Sequence, residues 1–323
     1  MSLLKLRLGM IGTLAFVIAV STLFFTVVLS LMGTLSFVAL AFFVVVFNIA
    51  QWLVAPYLIG GLYGTRSVSK VDNPKLWAMI ESLSQKIGVK TPKLMLANIP
   101  IPNAFAYGSP IAGNRIAVTN GLLKDLEDEE VEAVVGHELG HLKHRDVQVM
   151  MLVSVLPAIF YYLGYSMMMS SAYGRGNRRQ EGSGLAALIG IGSMILYWVL
   201  TLFVLGLSRM REYYADRTSA TSVEDGSRKL SEALAKIVAS TGRIKTLHAG
   251  AGSSNSFKAL FISDPDRAES DQVAIAASRM FRTDQQLVEE ILSRKITALD
   301  RVLEVFSTHP NMVKRLQALR QLA

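Results

Sequence analysis

The 323 residues contain no cysteine, which excludes disulfides and thiolate metal ligands together. Charge is also scarce. Only 18% of the residues are Asp, Glu, Lys or Arg, against about 25% in an average soluble domain, and mean hydropathy is +0.37. The scarcity is concentrated: from Leu8 to Thr65 there is no charged residue at all. Such a run accommodates two membrane helices of about 20 to 25 residues, expected over residues 8–31 and 35–59, with Met32-Gly33-Thr34 as the turn. Lys5 and Arg7 precede the pair and Arg66, Lys70 and Lys75 follow it, which by the positive-inside rule places both flanks in the cytoplasm. A cleaved signal peptide fits poorly, since its apolar core would be about 7 to 15 residues.

Two more apolar stretches are expected to form a second helix pair, at 147–171 and 185–207, separated by a polar, glycine-rich turn over 172–184. Arg175, Arg178 and Arg179 in that turn run against the charge bias, so a re-entrant hairpin is the alternative to two full crossings. Either path returns the chain to the side it left. Acidic or basic residues embedded in these stretches would mark an ion path; their lack makes a transporter the least favoured class. The formal net charge of +8 and pI near 9.6 come from basic residues scattered without a nucleic-acid-binding motif. That pattern suits a face near anionic lipid and excludes nucleic acid as the expected partner.

What is present in this charge-poor chain is His137-Glu138-Leu139-Gly140-His141. At about 3.6 residues per turn, histidines four apart stack on one helix face, where both can hold one metal ion, and Glu138 projects about 100° away. From there it can act as general base, the division of labour in H-E-x-x-H zinc hydrolases. A catalytic zinc takes three protein ligands and keeps one position open. Glu212 is the expected third ligand, for one Zn²⁺ per chain. Asp216, one turn later, is expected to accept a hydrogen bond from the outer ring N–H of a ligand histidine, which fixes its tautomer. The competing reading pairs Glu212 and Asp216 with Arg209 and Arg211 on a helix surface. Parity matters: an even number of crossings between Asp146 and Ser208 lets Glu212 meet the histidines. The short spacing to the apolar stretches suggests that the motif helix and the Glu212 helix continue membrane helices.

The stretch 66–146 reads as a small α+β unit. Apolar spacing through Leu76, Ile80, Leu83 and Ile87 predicts a helix over 73–87 with Pro74 in its first turn. Strand-like runs follow at 93–97, 103–108 and 115–119, the last two as a hairpin. Asn103, Ala104 and Phe105 are the expected edge at which an extended peptide adds as an extra strand. An acidic start over 125–130 opens the motif helix. Helices are expected over 225–239, 266–292, 298–306 and 311–322, with a Gly/Ser-rich loop at 249–256. His309, in Phe306-Ser307-Thr308-His309-Pro310, is a candidate for hydrogen-bonding an oxyanion or substrate carbonyl. Four segments result: 1–65, 66–146, 147–207 and 208–323.

With paired N-terminal apolar segments, Pro102-Asn103-Ala104-Phe105-Ala106, Gly136-His137-Glu138-Leu139-Gly140-His141, Ser208-Arg209-Met210-Arg211-Glu212-Tyr213, Ala215-Asp216 and Phe306-Ser307-Thr308-His309-Pro310 in this order, the chain resembles the HtpX family of membrane-bound zinc metalloproteases. These are gluzincins, related more distantly to the CaaX prenyl proteases. The resemblance implies a mainly α, α+β architecture with four membrane helices, a cytosolic zincin-like domain and a helical C-terminal region. It implies an enzyme of the inner or plasma membrane that removes damaged or misfolded membrane proteins under stress. His137, His141 and Glu212 are then the zinc ligands and Glu138 the catalytic residue. Two positions depart from the pattern: His144 stands where asparagine is commoner, and Asn311 where a second proline is. A processing protease of CaaX type is the alternative enzyme, and an adaptor with a structural zinc the non-enzymatic one.

Overall fold

The computed structural model describes residues 35–173, 181–247 and 283–323. The expected helix at 8–31 and the loop at 249–256 lie outside them. In chain order the elements are α1 (Leu35–Leu62), β1 (Thr65–Ser67), α2 (Pro74–Ile87), β2 (Lys93–Ala97), β3 (Ala104–Ser109), β4 (Gly113–Thr119), α3 (Asn120–Asp125), α4 (Asp128–Lys143), α5 (Asp146–Tyr173), α6 (Glu181–Ser222), α7 (Gly226–Leu247), α8 (Asp284–Leu292), α9 (Ala298–Val305) and α10 (Met312–Arg320). They form two compact units. One combines Leu53–Val147 with Ser208–Ala323, and the other includes Gln148–Leu207.

In the first unit, local chemistry sets the helix ends. Asn73 caps α2 by accepting the Leu76 N–H, Pro74 supplies the first helical position, and Gly88 closes the helix in a left-handed conformation that costs glycine little. Asp128, Glu129 and Glu130 occupy the first turn of α4, where the helix dipole favours acids, and the Glu130 carboxylate accepts the Glu127 N–H at 2.8 Å. Strand order is β1-β2-β4-β3. β2 and β4 run parallel and β3 pairs antiparallel with β4, which leaves β3 at an edge. Period-two alternation then sorts the side chains. Leu94, Ala104, Ile116 and Val118 join the core with α2, α4, α7 and α10, whereas Met95, Phe105, Tyr107 and Ala117 pack with Tyr63 in a separate cluster.

One expectation changes here. β1, only three residues long, adds antiparallel to β2; a run that short carries no alternation to read. Of the helix expected over 266–292, residues 266–282 lie outside the described ones, and the described part begins at Asp284, because Thr283 and Gln286 form a reciprocal capping box.

In the second unit, α5 and α6 pack through Phe160, Leu196 and Leu200. A Cβ on Gly164 would stand 3.1 Å from the Gly190 carbonyl oxygen, and one on Gly190 3.3 Å from that of Gly164. Small residues permit this close approach, as they do between helices in lipid. Among the described residues two helices are long and apolar enough to cross a membrane, Asp146–Met169 and Gly184–Ser222. The apolar part of the second ends near Leu207; Arg209, Arg211 and Glu212 follow on the same helix.

Candidate metalloprotease active site

The motif helix α4 is held against the last part of α6 by residues that lack bulk. A Cβ on Gly140 would stand 2.9 Å from the Ala215 Cα, and one on Gly136 3.0 Å from Val223 Cγ2. Between them the Ser219 hydroxyl donates to the Ala133 carbonyl at 2.6 Å. These contacts set the helix separation and hence the distance from Glu212 to the histidines. Gly140→Val is therefore expected to force the helices apart, destabilising the unit by about 1–3 kcal/mol and lowering bound zinc in proportion. Full metal content in the folded variant, read by elemental analysis, would remove Gly140 from this role.

His137 Nε2 and His141 Nε2 lie 3.1 Å apart, and each is 3.6 Å from an oxygen of Glu212. The outer nitrogens are both engaged by carboxylates: His137 Nδ1 is 2.9 Å from Asp216 Oδ1 and His141 Nδ1 is 2.6 Å from Asp146 Oδ2. His141 Nδ1 is within hydrogen-bonding reach of Asp146, and His137 Nδ1 lies beside Asp216 without an aligned hydrogen bond; with a carboxylate at each outer nitrogen, both imidazoles present Nε2 inward. Two Nε2 lone pairs facing one another need a cation between them. The 3.1 Å between the nitrogens and the 3.6 Å from each to its own Glu212 oxygen, Oε2 for His137 and Oε1 for His141, lie close to the edges, about 3.3 Å, of a tetrahedron whose centre lies about 2.0–2.1 Å from each donor. Two nitrogens and one carboxylate oxygen are also the donor set of thermolysin-type zinc sites. These residues fit a zinc ion.

The electrostatics agree. Burial opposes charge on His137, yet Asp216 and Glu212 outweigh it and hold the imidazole pKa up at about 9. Burial likewise opposes the Glu212 and Asp216 carboxylates. For Glu212 the opposing charges of His309, His137, His141 and Arg315 win, keeping its pKa well below the usual range; for Asp216, Arg315 and His137 lower it. Without metal, a proton on His137 stands in for the cation. Because its folded pKa exceeds the usual 6.5, this proton stabilises the metal-free fold fully below pH 6.5 and is lost as pH rises through about 9. Zinc needs the neutral ring. Zinc binding below pH 9 is thus expected to release a proton, with apparent affinity rising about tenfold per pH unit on that account; calorimetry in buffers of different ionisation enthalpy reads the proton directly.

Glu138, within 4.8 Å of both histidines, accepts the Ala106 N–H at 2.7 Å. Burial pushes its pKa up, against the pull of His141 and His137. The bond ties the carboxylate to the free side of β3. Since the Thr119 N–H donates to the Asn103 carbonyl, the antiparallel alternation turns the main chains of Asn103 and Phe105 toward β4 and those of Ala104, itself buried, and Ala106 to the edge that no described strand pairs. Of the three residues expected to hold substrate, Ala104 faces that edge, and Ala106 joins it.

His309 is buried with Nε2 3.9 Å from Glu212 Oε1. Its Nδ1 and the Thr308 hydroxyl are 3.0 Å apart, and Arg209 donates to the Ser307 carbonyl at 2.7 Å. Arg211 donates to the Ser208 hydroxyl at 3.1 Å and stands 3.7 Å from Asp146 Oδ2, the carboxylate beside His141. His144 ends α4 and turns to Thr218 Oγ1, 3.2 Å away. α4 does not run on into α5: Arg145 takes a left-handed conformation, φ 55°, and this reversal swings Asp146 back onto His141. α6, by contrast, is one helix from its apolar stretch through Glu212.

Two partners escape the linear motifs. Asp146 follows a helix break, so helical spacing does not point to it. Arg315 is fully buried, with Nε 2.9 Å and Nη2 2.5 Å from the two oxygens of Asp216 and Nη1 3.5 Å from Glu212. Its signal was present: Arg315 falls in the buried stripe Met312, Leu316, Leu319 of α10, where a cation needs an anion.

The family model for peptidase family M48 matches residues 70–323. This chain belongs to peptidase family M48. A protease HtpX homolog of Thermoplasma acidophilum is 36% identical over 86% of this chain and 83% of its own length, and one of Aeropyrum pernix 39% over 90% and 86%. Among solved structures, S. mikatae Ste24p covers 98% of this chain and 67% of its own at a TM-score of 0.53 and 17% identity, a likeness of fold. Membership of M48 makes the chain a metalloprotease, which implies a bound metal.

Proposed function

We propose that this M48 protein is an integral-membrane zinc endopeptidase that hydrolyses peptide bonds of misfolded or damaged membrane proteins, with four membrane helices and its site facing the cytoplasm. The observation that carries this reading is the convergence of His137 Nε2, His141 Nε2 and Glu212 beside a glutamate bonded to an open strand edge. His137, His141 and Glu212 would hold the zinc, and Asp216 and Asp146 would orient the two imidazoles. Bound there, zinc supplies Lewis acidity for the scissile carbonyl and the attacking water. Substrate adds along β3, its main chain accepted at Ala104 through hydrogen bonds indifferent to side chains, which suits unfolded polypeptide. Glu138 takes the proton of the attacking water and returns it to the leaving amine. His309, its ring positioned by Thr308, faces the developing negative charge.

Chain distance supports a site close to the bilayer: His141 stands six residues before the apolar stretch that starts at Val147, and Glu212 five after Leu207. Substrates are accordingly cut in cytosolic loops or membrane-proximal segments. The test is cleavage of casein by detergent-purified full-length protein, with zinc, with chelator, and with zinc restored. Cleavage lost to chelator and regained with zinc supports the reading. One zinc bound per chain without cleavage would turn it toward a narrow processing enzyme of CaaX type or a structural site.

A further inference from the structure

Helix α9 is built inside out. Its buried residue is Glu304, which accepts the Asn311 N–H at 3.1 Å and pairs with Lys314. Most of its exposed residues are apolar: Leu299 at 66%, Val302 at 56%, Leu303 at 50%, Val305 at 40% and the C-cap Phe306 at 58%, beside the exposed Ala298 and Arg301. The spacing i, i+3, i+4, i+7 puts Leu299, Val302, Leu303 and Phe306 on one face. Scattered exposed apolar residues are ordinary, but three on one face of an eight-residue helix, continued by its C-cap, make a contiguous patch. The neighbouring α8 and α10 turn Ile291, Leu316 and Leu319 inward in the usual way.

Where this face stands indicates what covers it. Arg209 donates to the Val305 carbonyl at 3.0 Å and to the Ser307 carbonyl at 2.7 Å, so the end of α9 is fastened to the second residue beyond the apolar stretch of α6. A second exposed apolar residue of the same unit is placed similarly. Ile111, at the tip of the β3–β4 hairpin, is exposed, and Ser109 beside it donates to the Leu53 carbonyl of the uncharged helix α1 at 3.1 Å. Around α9, residues 294–314 carry Arg294, Lys295, Arg301 and Lys314 against Asp300 and Glu304. Glu304 is the buried one, and Asp300 accepts the Thr297 N–H and hydroxyl at the start of α9. Lys314 is paired with Glu304, and Lys295 and Arg301 are the exposed cations; exposed cations beside an apolar face are the pattern of helices that lie in the plane of an anionic leaflet.

We propose that α9 is a bilayer-surface helix, with Leu299, Val302, Leu303 and Phe306 set into the boundary between headgroups and acyl chains of an anionic leaflet. α9 leads directly into the loop that carries His309, so the lipid surface also fixes where that histidine stands. The inference rests on the membrane location proposed above, and its test does not use activity. The chain has no native cysteine, so single cysteines can carry an environment-sensitive fluorophore in the full-length protein reconstituted in phosphatidylcholine–phosphatidylglycerol bilayers. Three sites are compared: Leu303→Cys on α9, Ile195→Cys on the exposed apolar side of α6, and Lys86→Cys on α2. The label at 303 is expected to be quenched by lipids spin-labelled near the headgroup several-fold more than that at 86, and several-fold less by aqueous iodide. Iodide quenching at 303 equal to that at 86 overturns the proposal. So does shielding from both quenchers, which means cover by protein, or shielding that appears only with added casein, which makes the face a polypeptide dock. Absence of quenching at 195 by lipids spin-labelled deep in the acyl chain, which is where the middle of the 185–207 stretch would lie, overturns the membrane location itself and this inference with it; such quenching at 195 without headgroup-lipid quenching at 303 overturns this inference alone.

Discussion

Glu138→Gln is expected to keep one zinc per chain and to reduce cleavage by about 10²–10⁴-fold, the usual worth of a positioned general base. Glutamine preserves the volume and keeps an oxygen for the Ala106 N–H, which Glu138 accepts at 2.7 Å, so the fold and the edge strand stay as they are. What disappears is the ability to hold a proton between attack and departure of the amine. Burial raises the Glu138 pKa in the metal-free site, and only the ionised carboxylate can take the proton of water, so kcat/KM of the native enzyme is expected to fall on the acid side as Glu138 protonates. The residual activity of the variant should lack that fall. Native cleavage rates with zinc bound would remove Glu138 from the chemistry, whereas loss of zinc would make it a positioning residue for the metal.

The features readable from sequence were those with a short period. The spacing of His137 and His141, the strand at 93–97 and the amphipathic α2 each depend on contacts within one element, and local spacing predicts where such side chains point. Glu212 and Asp216 were reachable because a zinc site requires a third ligand and α6 places them one turn apart. The Gly136 and Gly140 contacts with α6, the reversal at Arg145 and the pairing of β2 with β4 depend on partners distant in sequence, and no periodicity encodes them. The choice of edge residues shows the limit most clearly. Composition and turn signals located the strand near Asn103, but which alternate peptide groups face outward is set by register with β4, and a one-residue change of register reverses them. α9 shows the converse: its spacing predicted a helix over 298–306 correctly, while which face it buries is inverted relative to a soluble helix.

Arg315→Met is expected to have the largest effect on stability. Arg315 lies in the core with its guanidinium on both oxygens of Asp216 and 3.5 Å from Glu212. Methionine fills much of the space but leaves two buried carboxylates without their cation. Removing one partner of a buried ion pair costs about 3–5 kcal/mol, which for a unit of this size corresponds to a fall in Tm of about 10 °C. Asp216 has a folded pKa below its ordinary value, opposed by burial and lowered chiefly by Arg315. Its contribution is therefore present above the unfolded pKa near 3.8 and lost as pH falls through the depressed folded value. The gap between native and variant Tm should accordingly be wide at pH 7 and narrow in acid. Zinc should return part of the loss, since it supplies positive charge to Glu212 and, through His137, to Asp216. Arg315→Lys should fall between the two, keeping the charge without the two-pronged geometry. A pH-independent gap that zinc does not reduce would mean that Arg315 acts through packing alone, and the coupling between the C-terminal helix and the metal site would then have to be abandoned.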